Sequence, residues 1–232
     1  MANKYHLSKL IESIAPLESA ESWDMSGWLI ETTQTNVDKI LLCVTITNEI
    51  MQQAKEHSCD MIISHHPLFY VPLYFNCGID LYCAHTNLDK AFCGTTETLI
   101  NTLKLPINRD IEHDFLRFCD VELTLNELLN MLKPISNNIR FSNPQNTQTI
   151  KRIAFCSGSG SEFWHDAEDQ NADVLITGDL KFHTALDSKI PIIDIGHYES
   201  ETLVLDVLQG ILPKDITIIK AKEKSPITQI NS

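Results

Sequence analysis

Two adjacent histidines close one of the apolar stretches of the sequence. His65 and His66 lie in "DMIISHHPLF" (60–69), and Pro67 follows them at once. Neighbouring side chains of a strand point to opposite faces, but beyond the strand end the chain turns and they can converge. Imidazole binds Zn, Fe, Ni or Mn, so the pair could supply one histidine to each of two metals. The alternative is one core histidine beside one surface histidine.

Three further clusters of polar side chains follow predicted strand ends, the edge at which open α/β sheets bind ligands. They are His85-x-x-x-Asp89, Asp179-x-Lys181-x-His183 and His197-x-x-x-Glu201. If a helix begins at about residue 198, the last pair shares one helix face and both members could bind a metal. A solvated pair at a helix start is the alternative.

Three histidines and two carboxylates are too few for two closed structural sites, which usually take four ligands each. They suit two open sites that share a carboxylate and leave positions for water. Metals ~3.5–4 Å apart can acidify a bridging water, so we expect a metal-dependent hydrolase with a metal-bridging hydroxide as nucleophile. The predicted ligands are His65, His66, Asp89, His197 and Glu201.

Other chemistry has weaker support in the sequence. Asp179, Lys181 and His183 could contact substrate or move a proton, and roles in packing or at the surface are the alternative. The Gly/Ser-rich 157–163, "SGSGSEF", could cradle a phosphate, but it lacks the G-x-x-x-x-G-K-[ST] pattern and a tight turn between strand and helix is favoured.

The elements that must position these residues alternate between strand and helix, which predicts an α/β fold with mixed or largely parallel sheets flanked by helices. A capping box is expected at Thr124 and Glu127, and the polar stretch 136–149 is expected to be a loop. The strands are predicted at 39–46, 60–64, 80–86, 151–156, 172–178, 190–196 and 215–221, and the helices at 48–57, 93–105, 124–133, 162–170 and 200–211.

Two similar α/β lobes are expected from an internal duplication. Residues 40–70 align without a gap to residues 153–183, and the next strands align with an offset of 112 that brings His85 onto His197. Chance similarity of two βαβ units is the alternative. We predict a metal-binding lobe at 1–108, to which 190–232 returns, and a second α/β lobe at 109–189.

Composition excludes several classes of function. The 232 residues carry a net charge of −13, which argues against a nucleic-acid surface. No apolar stretch reaches the ~18 residues of a membrane span, and the N-terminus lacks the apolar core of a signal peptide. The seven cysteines are odd in number and mostly lie in apolar runs, which indicates reduced thiols and a cytoplasmic protein.

Four ordered motifs, "SHHPLF", "AHTNLD", "ADVLITGDLKFHTALD" and "DIGHYESE", resemble the Nif-three-like dinuclear metal-centre family. Its bacterial members are commonly described as GTP cyclohydrolase I type 2 homologues. "ESWDMSGWLIE" (21–31) is similar to the N-terminal W-D-N-x-G-L stretch of the family, and Met25, Ser26 and Thr45 depart from its usual Asn, Val and Asp.

The resemblance implies a subunit of two α/β lobes that forms a toroidal homohexamer and acts on a small molecule, such as a nucleotide or a phosphoester. It also implies two divalent metal ions, Zn, Fe, Mn or Ni, with Glu201 touching both. His66 and Asp89 would hold one ion, His65 and His197 the other, and His85 would be a supporting partner. The alternative is a non-catalytic metal-binding scaffold that acts through protein partners.

Overall fold

The computed structural model describes residues 1–227. The strands are β1 (Ala2–Asn3), β2 (Gly27–Ile30), β3 (Asn36–Val37), β4 (Lys39–Cys43), β5 (Met61–Ser64), β6 (Asp80–Cys83), β7 (Arg117–Thr124), β8 (Arg140–Ser142), β9 (Thr149–Phe155), β10 (Val174–Thr177), β11 (Ile192–Asp194) and β12 (Thr217–Lys220).

Helices alternate with these strands, as the sequence predicts. The α-helices are α1 (Lys4–Ile14), α2 (Asn48–Glu56), α3 (Thr86–Lys90), α4 (Thr95–Thr102), α5 (Leu125–Leu132), α6 (Trp164–Asp169), α7 (Phe182–Asp187), α8 (His197–Glu201) and α9 (Val204–Ile211). Short 3-10 helices cover Leu17–Ser19, Leu73–Phe75 and Ser161–Phe163. None of the helices in the described range is long and apolar enough to cross a membrane.

The chain divides into two compact units, each built on its own five-stranded sheet. Among the described residues, the first unit contains 1–94 and 204–224, and the second contains 95–203 and 225–227. The division differs from the predicted one at 108 and 190. Residues 190–203 group with the second unit because β11 pairs in parallel with β10.

In the first unit the sheet order is β12-β4-β5-β6-β2, with only the edge strand β2 antiparallel. Leu41, Ile62 and Leu81 on one sheet face are buried against α2, while Ile40 and Met61 on the other face are also fully buried. A parallel sheet needs cover on both faces, and the unbroken aliphatic runs of β4 and β5 meet that need.

In the second unit the order is β7-β9-β10-β11-β8, with parallel central strands and an antiparallel strand at each edge. Alternate residues of β9 and β10 enter two separate cores, Ile153 and Ile176 on one face and Ala154 and Leu175 on the other. The α/β fold with helices flanking the sheets is therefore confirmed.

Two strands of this sheet, β7 and β8, were not predicted from the sequence. The prediction of a loop at 136–149 is wrong for the residues of β8. This strand pairs antiparallel with β11, which satisfies backbone hydrogen-bonding groups at the sheet edge. No strand was expected at β7, where Asp120 and Glu122 interrupt the apolar pattern and the pairing with β9 is irregular between Asp120 and Leu123. Neither edge strand has the unbroken apolar run that marks a buried strand.

The predicted capping box is present at the start of α5. The Thr124 hydroxyl accepts from the Glu127 N–H, and the Glu127 carboxylate accepts from the Thr124 N–H. A Ser/Thr followed three residues later by Glu thus satisfies two N–H groups that the helix leaves open.

The two units repeat several local contacts at the predicted offset of 113. Asp60 accepts from the N–H groups of residues 38 and 39, and Asp173 accepts from those of residues 151 and 152. Ser58 and Asn171 both have positive φ at the end of the preceding helix. These shared contacts support the alignment, while the duplication itself stays a prediction.

At the third strand the offset is 111 and not 112. The Ala84 N–H bonds the Ser64 carbonyl, and the Ile195 N–H bonds the Thr177 carbonyl. By this register Gly196, and not His197, corresponds to His85.

The matching carboxylates predict matching losses of stability. Asp60→Ala and Asp173→Ala should each lower the free energy of unfolding by about 1.5–3 kcal/mol, because each substitution removes the charged acceptor of two backbone N–H groups. Urea unfolding measures the loss, with Asp187→Ala, an exposed carboxylate, as control. Losses no larger than that of the control would contradict a structural role for these two residues.

Candidate metal-binding residues in each unit

In the first unit, His65 and His66 leave the end of β5 with their backbone held by the neighbouring strand. Their N–H groups bond the carbonyls of Cys43 and Val44, at 3.2 and 2.8 Å. These bonds extend the parallel pairing of β4 and β5 beyond the strand end. The two imidazole centroids are 5.0 Å apart with the ring planes at 39°, so the side chains stay close after the chain leaves the strand.

The Nδ1 atoms of both histidines have partners within the unit. His65 Nδ1 is 2.9 Å from the carbonyl oxygen of Ala84, and His66 Nδ1 is 2.7 Å from the hydroxyl of Thr45. A carbonyl oxygen can only accept, so Nδ1 of His65 carries a proton in this contact. His65 Nε2 lies 3.5 Å from Oδ1 of Asp89.

His85 joins these residues as the third imidazole of the first unit. Its ring centroid is 5.4 Å from that of His65 and 5.8 Å from that of His66. Its Nδ1 is 2.8 Å from Oδ1 of Asp24. Burial and the neighbouring His65 lower the pKa of His85, while Asp24 acts in the opposite direction.

Asp24 holds the loop before α3 through several bonds. Besides His85, it accepts from the N–H and hydroxyl of Thr86 and from the hydroxyl of Ser26. Burial alone would raise its pKa, but the bonds from Thr86, His85 and Ser26 lower it to about 2. Asp24 therefore stays ionised and fixes the start of the helix that carries Asp89.

In the second unit, His197 and Glu201 are the first and last residues of α8. His197 Nε2 lies 3.1 Å from Oε2 of Glu201, as expected for residues four apart on a helix. Gly196 precedes the helix with φ +91°, a conformation that favours glycine. The helix begins one residue before the predicted start at about residue 198, and the shared face is present.

Asp179 bonds the other ring nitrogen of His197. Its Oδ2 is 2.6 Å from His197 Nδ1, so Asp179 orients the ring from behind while Nε2 faces Glu201. Burial alone would lower the pKa of His197, but Glu201 first and Asp179 second outweigh it and raise the pKa to about 9. Without metal, each of the two N–H groups of the protonated ring faces one carboxylate.

Lys181 and His183 lie outside this arrangement. The Lys181 ammonium pairs with Glu162 at 2.6 Å, and both side chains are exposed. His183 is exposed on α7 and its ring packs edge-on against Phe182. Their predicted contact with substrate stays a prediction.

The Gly/Ser-rich 157–163 forms a tight turn between strand and helix. The Gly158 N–H bonds the Ser200 hydroxyl at 2.8 Å, and the Gly160 N–H bonds the Thr177 hydroxyl at 3.0 Å. These backbone donors, which a phosphate cradle would need, serve the unit itself. The sequence offers no signal for the contact of Gly158 with Ser200, because the two residues are far apart along the chain.

Gly158 has a second role beside Glu201. Its φ is +68°, and a Cβ added there would lie 2.2 Å from Oε1 of Glu201 and 3.5 Å from Nε2 of His197. Only glycine leaves room for the carboxylate to reach the imidazole in this position.

A cavity of about 220 Å³ opens in the second unit beside His197. Asp179, Arg140 and Asp194 line it, together with Ile227. Arg140 bonds Asp194, which is almost fully buried, while 63% of the Arg140 side chain is exposed. The guanidinium has five N–H donors, and among residues 1–227 its recorded bonds use Nη2 alone. The remaining donors suit an anionic group of a small ligand.

We expect Gly158→Ala to lower the pKa of His197 from about 9 toward its usual value near 6.5, since the added methyl displaces the Glu201 carboxylate. Titration of the imidazole by NMR in metal-free protein measures this pKa. Gly78→Ala is the matched control, because Gly78 has φ +83° but open space around it. An unchanged pKa in Gly158→Ala would contradict the close approach of Glu201.

The raised pKa of His197 also predicts how stability depends on pH. Its contribution is fully present below the unfolded pKa near 6.5 and is lost as pH rises to about 9. Because the ring is partly exposed, we expect a loss on the order of 2 kcal/mol after allowance for solvent screening. Urea unfolding at pH 6 and 9.5 measures this loss in metal-free wild type and in the metal-free Glu201→Gln variant. Equal losses of unfolding free energy in the two proteins would refute the prediction.

Comparison with known proteins places the chain among related sequences. A sequence profile described as Duf34/NIF3 (NGG1p interacting factor 3) matches residues 2–226. A protein of Clostridium perfringens named "GTP cyclohydrolase 1 type 2 homolog" is 32% identical over 248 residues, covering 92% of this chain and 94% of the relative.

Solved structures share the fold. Staphylococcus aureus protein SA1388 matches with a TM-score of 0.82 and 25% identity, covering 99% of each chain. A Bacillus cereus protein related to NIF3 matches with a TM-score of 0.85 and covers 99% of each chain, and at 18% identity it is evidence for the fold alone.

Proposed function

Because this chain belongs to the Duf34/NIF3 family, we propose that it is a metal-dependent hydrolase with a dinuclear centre. His65, His66 and Glu201 are side chains that could hold a metal ion. In the proposal Asp89 and His197 complete the ligand set, and two divalent ions are bound per chain. Mixed histidine and carboxylate ligands accept Zn, Fe, Mn or Ni, so the proposal names no single metal.

One observation carries the proposal. Each of the three candidate ligand histidines has its Nδ1 in contact with an oxygen: the Ala84 carbonyl, the Thr45 hydroxyl or the Asp179 carboxylate. Histidines that bind metals in proteins usually donate one ring N–H to such an oxygen and coordinate through the other nitrogen. His85 has the same kind of contact, with Asp24, so the arrangement supports rings that offer Nε2 to a metal, and the choice of three of them follows the family resemblance.

The residues of the chain have distinct tasks in the proposed reaction. Bound divalent ions would supply Lewis-acid activation of water and of a substrate oxygen. Asp179 orients His197 and stabilises its charged form when no metal is bound. Arg140 would bind an anionic group of the substrate in the cavity beside His197, which favours a nucleotide or a phosphoester.

The printed names of relatives include "GTP cyclohydrolase 1 type 2" for a Helicobacter pylori protein that is 29% identical. For this chain, opening of the GTP ring is a specific form of the proposal. Incubation of the metal-loaded protein with GTP tests it through release of formate. Assembly as a toroidal homohexamer and residence in the cytoplasm are likewise proposed from the family, and sedimentation would report six chains.

Metal analysis with ligand variants tests the proposal. Wild type loaded with Zn²⁺ or Mn²⁺ should bind two ions per chain. Asp89→Ala and His197→Ala should each keep about one, and Glu201→Ala should lose both. His183→Ala, a histidine outside the ligand set, is the matched control and should keep two. Wild type that binds no divalent metal would refute the proposal.

A turnover screen on nucleotides and phosphoesters separates the enzyme from the scaffold. Turnover that disappears with Asp89→Ala supports the hydrolase. Two tightly bound metals without turnover of any substrate class would contradict the hydrolase and favour a metal-binding scaffold.

A further inference from the structure

His66 is held in place by the two residues that follow β4. Its N–H donates to the Val44 carbonyl at 2.8 Å, and its Nδ1 lies 2.7 Å from the Thr45 hydroxyl. The first contact fixes the backbone and the second fixes the rotation of the ring. The direction of His66 Nε2 therefore depends on where residues 44 and 45 lie.

A carboxylate from the far end of the chain binds these same two residues. Glu223 accepts the Val44 N–H on Oε1 at 2.7 Å and the Thr45 N–H on Oε2 at 3.0 Å. Each carboxylate oxygen takes one backbone donor, an arrangement that a neutral amide cannot reproduce, since it has one accepting oxygen. Glu223 and His66 are also close enough for their charges to interact.

The segment that carries Glu223 is held by β4 on the sheet and by Gln53 on α2. β12 pairs in parallel with β4, and the Ala221 N–H continues this pairing to the Leu42 carbonyl. The side-chain amide of Gln53, on α2, both donates to the Lys222 carbonyl and accepts from the Lys222 N–H. Glu223 is therefore delivered to Val44 and Thr45 by well-defined contacts.

We propose that Glu223 is a positioning residue for His66, which acts by holding the backbone of Val44 and Thr45 so that Thr45 fixes the ring and His66 Nε2 faces the metal. This inference rests on the proposed function in one respect, that His66 binds a metal. No sequence motif predicts the contact between Glu223 and the residues that hold His66, because Glu223 lies 157 positions after His66.

The competing explanation is that Glu223 only fastens the C-terminal segment to β4. The two explanations differ in what Thr45 does. Thr45→Val keeps both backbone N–H groups that Glu223 binds and removes only the partner of the ring. If Glu223 acts through Thr45, then Glu223→Gln and Thr45→Val weaken binding of the same metal, and the double variant loses less binding free energy than the sum of the two single losses.

The experiment measures binding of Co²⁺ to metal-free protein by visible absorption and by competition with a chromogenic chelator, alongside urea unfolding. Glu223→Gln and Thr45→Val should each weaken one of the two Co²⁺ ions by about 10–100-fold, the usual effect of losing a partner behind a ligand. Thr45→Ser retains the hydroxyl and should restore wild-type affinity. These affinities are expected to change even where Thr45→Val leaves the free energy of unfolding nearly unchanged.

Glu127→Gln is the matched control, because Glu127 also binds a backbone N–H but lies at the capping box of α5. It should alter stability and leave both Co²⁺ affinities unchanged. Glu223→Gln that lowers stability while both affinities stay within twofold of wild type would overturn the inference alone, as would Thr45→Val with wild-type affinities. Wild type that takes up no Co²⁺ would overturn the proposed function and this inference together.

Discussion

The proposed site depends on one constraint, the engagement of Nδ1 in each histidine that could bind a metal. An imidazole has two nitrogens, and a protein chooses which one faces a metal by giving the other a fixed partner. His65 uses a backbone carbonyl, His66 a hydroxyl and His197 a carboxylate. These partners differ in charge, although all three rings offer the same nitrogen.

Each partner is in turn held by the fold around it. Ala84 lies just beyond β6, whose parallel pairing with β5 sets its distance from His65. Asp179 has φ +53°, a strained conformation for a residue other than glycine, directly after the turn that ends β10. This backbone conformation places the Asp179 carboxylate against Nδ1 of His197.

Much of the fold follows from the sequence because its central strands are buried on both faces. A short unbroken aliphatic run such as that of β4 is typical of a strand buried on both faces. The capping box at Thr124 marks a helix start through its hydrogen-bonding groups alone. The edge strands β7 and β8 could not be predicted in the same way. Their sequences are polar and interrupted, and only pairing with β9 and β11 makes them strands.

The candidate ligands could be named from motifs, but their supporting contacts could not. Asp24 behind His85 and Glu223 behind Val44 and Thr45 are joined to their partners by the fold and not by spacing in the sequence. The offset of the third strand shows the same limit. A gap of one residue in an alignment moves His197 onto His85, whereas the backbone hydrogen bonds place Gly196 there.

An anomalous-scattering map of the purified protein tests the central claim most directly. We predict two metal peaks per chain, with His65, His66 and His197 each bonded through Nε2 and the Nδ1 contacts retained. A map with no metal peak at these residues, or with a metal bonded to Nδ1 of any of the three, would contradict the account.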